Sequence, residues 1–314
     1  MGLLCALGVL AAAAPASAQP VEMASPYEYL GWGNPQAPTA VMAATGLHDL
    51  TLAFMLSHGT CNPAWDGSRP LLGGSDQAAI SAIRAAGGDV TVSFGGWSGK
   101  KLGTSCKTVP ALAAAYPKVI DAYSLKSIDV DIEHGEFNNK KTRIRVVAAL
   151  ASVQAANPGL EISVTMGTGE TGPESAGLSL IADAAAISFQ PTVWTVMPFD
   201  FGAPLTDMGH ASVRGLEGLD ADLASAYHLS ASEAYEHVGV SSMNGRTDES
   251  SETVSLSDFQ TILSFAGEHH LGRVSFWSVN RDRSCPAGKP SEDECSGISQ
   301  SPYAFSDLLA AYHG

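Results

Sequence analysis

Asp129, Asp131 and Glu133 occupy alternate positions in the stretch Lys126-Ser127-Ile128-Asp129-Val130-Asp131-Ile132-Glu133. An extended chain sends successive side chains to opposite faces, so the three acids share one face and Ile128, Val130 and Ile132 the other. Acids two residues apart sit roughly 6.5 to 7 Å from each other along a strand, near enough at their tips to share a proton. Like charge at i−2 and i−4 raises the pKa of Glu133, and a carboxyl that keeps its proton near neutral pH can serve as a general acid. Burying unpartnered carboxylates costs roughly several kcal/mol each, so a core that holds three gains something in chemistry. The same alternation also describes an exposed antiparallel strand with a solvated face, and the neighbouring elements must decide.

From Ser25 onward, short β-branched or aromatic runs alternate with Ala-rich helical stretches, the rhythm of parallel βα units. Strands are expected over 27–32, 50–56, 89–94, 127–133, 161–166, 193–198, 237–241 and 273–278, and helices over 76–86, 109–123, 142–157, 175–186, 216–226, 257–269 and 304–312. Gly87-Gly88 and Asn157-Pro158-Gly159 read as helix stops, and Ser257-Asp258 as a helix start. Eight such units, with no linker or repeat dividing them, predict a single α/β domain over 25–314, a (β/α)8 TIM barrel. Helices then cover the apolar side of the acidic strand, the acids point into the lumen, and Glu133 stands at the C-terminal rim where such barrels carry their sites.

The chain of 314 residues has a formal net charge of −15, which disfavours nucleic acid and anionic membranes as partners and suits a neutral substrate. Met1 to Ala18 is apolar and ends Ala16-Ser17-Ala18, the pattern of a secretory signal peptide cleaved before Gln19; a short membrane anchor is the alternative. The expectation is therefore a secreted monomer. Cys61, Cys106, Cys285 and Cys295 remain after cleavage, an even set for which Cys61–Cys106 and Cys285–Cys295 are the favoured pairs. A zinc site is the other use of four cysteines, although no C-x-x-C or H-x-x-x-H spacing supports one. Gly167-Thr168-Gly169-Glu170-Thr171-Gly172 fits G-x-G-x-x-G, but Pro173 and Glu174 follow in place of an apolar helix face. Neither a cofactor nor a metal is expected.

Four stretches, in order, resemble the family 18 glycoside hydrolases, the chitinase family, with secreted actinobacterial members and chitinase-like proteins looking closest. Ile128-Asp129-Val130-Asp131-Ile132-Glu133 resembles the D-x-D-x-E core, and Ser93-Phe94-Gly95-Gly96 the S-x-G-G strand. Val196-Met197-Pro198-Phe199-Asp200 resembles the M-x-Y-D strand, and Ser275-Phe276-Trp277-Ser278 the last strand with its subsite tryptophan. The resemblance implies that Glu133 protonates the glycosidic oxygen. It implies that Asp131 swings from Asp129 to orient the substrate acetamido group, whose carbonyl oxygen attacks the anomeric carbon with retention. Asp200, Met197 and Phe199 are placed at the acetamido group, and Trp277 beneath the reacting sugar, where a flat ring matches a pyranose face. Gly96 lets backbones approach near the lumen; Trp97 and Trp65, in loops after their strands, either extend the cleft or serve structural packing, and Glu170, Met243 and Asn244 either line the rim or are loop structure. Two positions depart from the pattern: Lys126 stands where the longer motif has an acid, and Phe199 where it has a tyrosine. The substrate implied is chitin or N-acetylglucosamine oligosaccharides. Phe199 motivates a second reading, a binding protein that turns over slowly or not at all, and the same acids also suit an endo-β-N-acetylglucosaminidase.

Overall fold

The computed structural model describes residues 23–202, 204–288 and 293–312; the expected signal peptide lies outside the described residues. Eight parallel strands form in sequence order: β1 (Tyr27–Tyr29), β2 (Asp49–His58), β3 (Asp89–Gly95), β4 (Ser127–Asp131), β5 (Glu161–Gly167), β6 (Val193–Met197), β7 (Val238–Met243) and β8 (Arg273–Trp277). Each pairs with the next, and β8 pairs with both β7 and β1, which closes the barrel. Met23–Ala24 adds to β8 ahead of β1, so the barrel begins two residues before the expected boundary.

Period two sorts these strands into an apolar outside and a polar lumen. Ile128, Val130, Ile162, Val164, Val240 and Val274 are buried against the helices. Thr51, Ser93, Asp129, Ser163, Thr165 and Ser275 are equally buried and make hydrogen bonds across the lumen. The solvated antiparallel reading of the acidic strand is thereby excluded, since β4 lies between β3 and β5 in parallel register.

The helices form where spacing and caps predict them, with three informative differences. The stretch 109–123 divides into Val109–Ala113 and Tyr116–Tyr123, because Pro117 has no N–H to donate to a preceding turn. The helix expected from Leu216 begins at Met208, with Asp207 accepting from the His210 N–H at 3.0 Å. Its glycines serve packing: a Cβ at Gly218 would fall 2.0 Å from the Thr171 carbonyl oxygen. Pro38–Thr45 is an additional helix whose proline sits in the first turn, where its missing N–H costs no bond.

Cys61–Cys106 and Cys285–Cys295 are disulfides, the favoured pairing, which removes the zinc alternative. The first closes a loop of sequence separation 45 and joins the end of β2 to the loop after β3. Replacing Cys61 and Cys106 together by serine is expected to cost about 4 kcal/mol in urea denaturation, from the entropy returned to the unfolded chain. A change below about 1 kcal/mol would mean the loop ends are held together without the bond.

Candidate active site

The C-terminal ends of the strands surround a cavity of about 550 Å³. Asp131, Glu133, Met197, Phe199, Asp200, Trp97 and Trp277 all line it. β4 ends at Asp131, yet the Ile132 N–H still donates to the Thr165 carbonyl at 2.8 Å and Glu133 keeps an extended backbone, φ −129° and ψ 167°. Alternation therefore runs on through Glu133, and the chain turns only at His134, φ 48°.

Asp129 lies one layer deeper, fully buried and away from the cavity lining. Its Oδ2 accepts from Tyr27 Oη at 2.8 Å and Ser93 Oγ at 2.5 Å, and its Oδ1 from Thr165 Oγ1 at 2.6 Å. Arg273 completes the set with a fully buried ion pair at 2.8 Å. The donors and the guanidinium thus occupy both oxygens of Asp129, partners that the spacing of the acids did not reveal. Sequence reasoning missed Arg273. It also donates to Ser163 Oγ at 3.1 Å and Thr51 Oγ1 at 3.0 Å, and stands 5.2 Å from the centre of the Tyr27 ring.

Asp131 is 3% exposed, and its Oδ1 has no hydrogen-bond partner. Burial first, then Glu133 and Asp129, push its carboxyl well above the usual range, against Lys101 and Arg273. Glu133 is pushed up to about 7 chiefly by burial; Lys101 pulls it down, and Asp200 and Asp248 push it up. Desolvation is thus the largest cause of the retained proton, Asp200 and Asp248 across the cavity add to it, and Glu133 and Asp131, two residues apart, repel each other as carboxylates.

Trp277 and Phe54 stack with centroids 5.5 Å apart and planes 11° apart, making an aromatic floor that Tyr27 edges at 5.9 Å from Trp277. Gly96 lies outside the lining: a Cβ there would meet the Phe54 ring at 2.6 Å, so its bareness seats Phe54. Asp200 has φ 55° and is tied to the loop after β7, its N–H donating to Glu252 at 2.7 Å and its Oδ1 accepting from the Glu249 N–H at 3.0 Å. That loop adds Asp248 and Glu249 to the cavity. Six carboxyl residues face the space and, among the described lining residues, neither Lys nor Arg does, which suits an uncharged polymer better than an anionic one.

Several expectations fail. Trp65 is fully buried on the short strand Asn62–Trp65, its Nε1 donating to Tyr123 at 2.9 Å, because a hairpin follows β2 where a loop was expected. Asn244 holds the Ser278 backbone at 2.9 and 3.1 Å, and Glu170 pairs with Arg214 at 3.1 Å outside the lining. Met243 does line the cavity, together with the unforeseen Tyr27, Phe54, Phe137, Glu174 and Ser241.

No family model matches the chain. It is 29% identical over 317 residues to the probable bifunctional chitinase/lysozyme of Escherichia coli, covering 95% of this chain and 35% of that protein. It is 27% identical to endochitinase 11 of Metarhizium anisopliae, covering 85% and 54%. The chain thus spans between about a third and about half of the curated relatives it matches. The catalytic domain of the hyperthermophilic chitinase from Pyrococcus furiosus superposes with a TM-score of 0.84 at 27% identity, over 93% of this chain and 95% of that one. The chain is similar in sequence and fold to chitinases, as the resemblance to the family 18 glycoside hydrolases implies. The barrel aligns over nearly its whole length with that catalytic domain, so the cavity at the strand ends sits where this fold carries chemistry. Catalytic-site mutants of active domain 2 of the Pyrococcus furiosus chitinase have been solved with chito-oligosaccharides.

Proposed function

We propose that the protein is a chitinase, hydrolysing β-1,4 bonds between N-acetylglucosamine units with retention and by substrate assistance. The observation that carries this reading is Glu133, a carboxyl raised to about 7 at the rim of an aromatic-floored cavity, two residues from the unpartnered Oδ1 of Asp131. Glu133 gives its proton to the glycosidic oxygen as the bond to the anomeric carbon breaks. The acetamido carbonyl oxygen forms the new bond to that carbon, so no second protein nucleophile is needed. Asp131 accepts the acetamido N–H and stabilises the positive charge that develops on the ring so formed. Water then attacks the anomeric carbon and yields its proton to the Glu133 carboxylate, while the carbonyl is released.

Trp277 supports the reacting sugar, and Trp97 a neighbouring one. Met197, Phe199 and Asp200 border the acetamido group. The apolar run of residues 1–18 and the two disulfides favour action outside the cell. Incubation with the N-acetylglucosamine hexamer should release shorter oligomers; a hexamer that binds and stays intact at acidic and neutral pH would leave a binding protein instead. Phe199 is the observation that favours this second reading, since it lines the cavity without the hydroxyl that a tyrosine would bring.

The pH dependence follows from Glu133 as acid. The group works when protonated, so kcat/KM should be level below its pKa and fall as pH rises through about 7. An alkaline limb below pH 5 would assign the acid to an unperturbed carboxyl.

A further inference from the structure

The loop after β3 folds over one buried ammonium. Lys101 is 4% exposed, and its Nζ donates to the carbonyl oxygens of Trp97 and Ser98 at 2.8 and 2.7 Å. These bonds close the turn that presents Trp97, whose ring is 66% exposed on the cavity wall and lies 3.7 Å, centre to centre, from the His134 ring. Glu136 holds the loop from beneath: it is 3% exposed, and its Oε1 accepts the Gly103 N–H at 2.6 Å. The Ser57 N–H donates to the Lys100 carbonyl at 2.7 Å, and the Cys61–Cys106 disulfide fixes the outer end.

We propose that Lys101 is a positioning residue for this cavity: its ammonium holds the Trp97–Ser98 turn at the rim and sets one positive charge against Asp131, Glu133 and Glu136. The inference rests on the chitinase reading above. Two neutral carbonyls offset only part of the hydration that a buried ammonium loses, and the three carboxyls, to the extent that they ionise, offset a further part. Burial pulls the Lys101 pKa down, while Glu136, Glu133 and Asp131 hold it up. Lys101 in turn opposes the rise of Glu133, which burial, Asp200 and Asp248 drive, and with Arg273 it opposes that of Asp131. Lys101 thereby limits how tightly Glu133 keeps the proton it must give away.

The test compares the intact protein with Lys101→Met, Lys101→Gln and Lys101→Arg, reading kcat/KM against pH and KM for the N-acetylglucosamine tetramer. Lys101→Met should move the alkaline limb upward by about half to one pH unit and raise KM about three- to tenfold through the freed Trp97. Lys101→Gln removes the charge but keeps an N–H donor, so the limb should move with less change in KM; it also serves if Lys101→Met does not fold. Lys101→Arg should restore the limb. A limb unmoved in every folded uncharged variant would overturn the proposal. If the unsubstituted protein fails to cleave the tetramer, the chitinase reading fails separately. Tetramer affinity then tests the clamp, with an unchanged Kd in Lys101→Met or Lys101→Gln counting against it.

Discussion

Glu133→Gln should lower kcat/KM for N-acetylglucosamine oligomers by about 10²- to 10⁴-fold, the range of a lost general acid, while oligomer binding changes little. The amide keeps the size of the side chain but cannot give up a proton, so the loss falls on the step in which the glycosidic oxygen departs. Binding should survive because the floor of Trp277 and Phe54 and the wall residues Trp97 and Phe199 do not depend on that proton. Steady-state rates beside calorimetric binding of the tetramer would separate the two effects. Activity within tenfold of the unsubstituted protein would remove Glu133 from the role.

The second large effect concerns stability. Arg273→Met leaves the Asp129 carboxylate fully buried without its counter-ion, and such a loss costs about 3 to 5 kcal/mol. Asp129→Leu should cost a similar amount by stranding the guanidinium among hydroxyls meant for an ion pair. Combining the two should cost clearly less than the sum, because the second change removes the charge that the first left unpaired. Urea denaturation of the four proteins gives the cycle, and additive costs would mean that the two groups are stabilised independently. The pair also fixes the layer of the lumen directly beneath Asp131, so the single variants should lose activity in excess of their unfolded fraction.

Much of the fold was legible because one signal, period two against period 3.6, repeats eight times, and eight consecutive βα units in one domain are the count that closes a barrel. The acid trio was legible for the same reason. What the sequence concealed was the assignment of partners. Arg273, Ser275 and Trp277 alternate like Asp129, Asp131 and Glu133, so a period-two reading of β8 already places Arg273 on the lumen face. Its contact with Asp129 is 144 residues away in sequence, and spacing says nothing about such a pair. The surroundings that tune Glu133 were hidden likewise: burial, the chief cause of its raised pKa, depends on the closed barrel, and Asp200 and Asp248, which add to the rise, and Lys101, which opposes it, come from the loops after β6, β7 and β3. Trp65 was misread because an antiparallel return strand after β2 carries no turn signal strong enough to distinguish it from a loop.

The reaction scheme makes one stereochemical commitment. Attack by the acetamido oxygen on one face and by water on the other inverts the anomeric carbon twice, so the product first keeps the β configuration. Proton NMR of the anomeric region during the first minutes of hexamer cleavage measures this directly, before mutarotation mixes the forms. New reducing ends appearing first as the β anomer are the expected result. New ends appearing first as the α anomer, or a hexamer spectrum unchanged at full occupancy, would contradict substrate-assisted cleavage at Glu133.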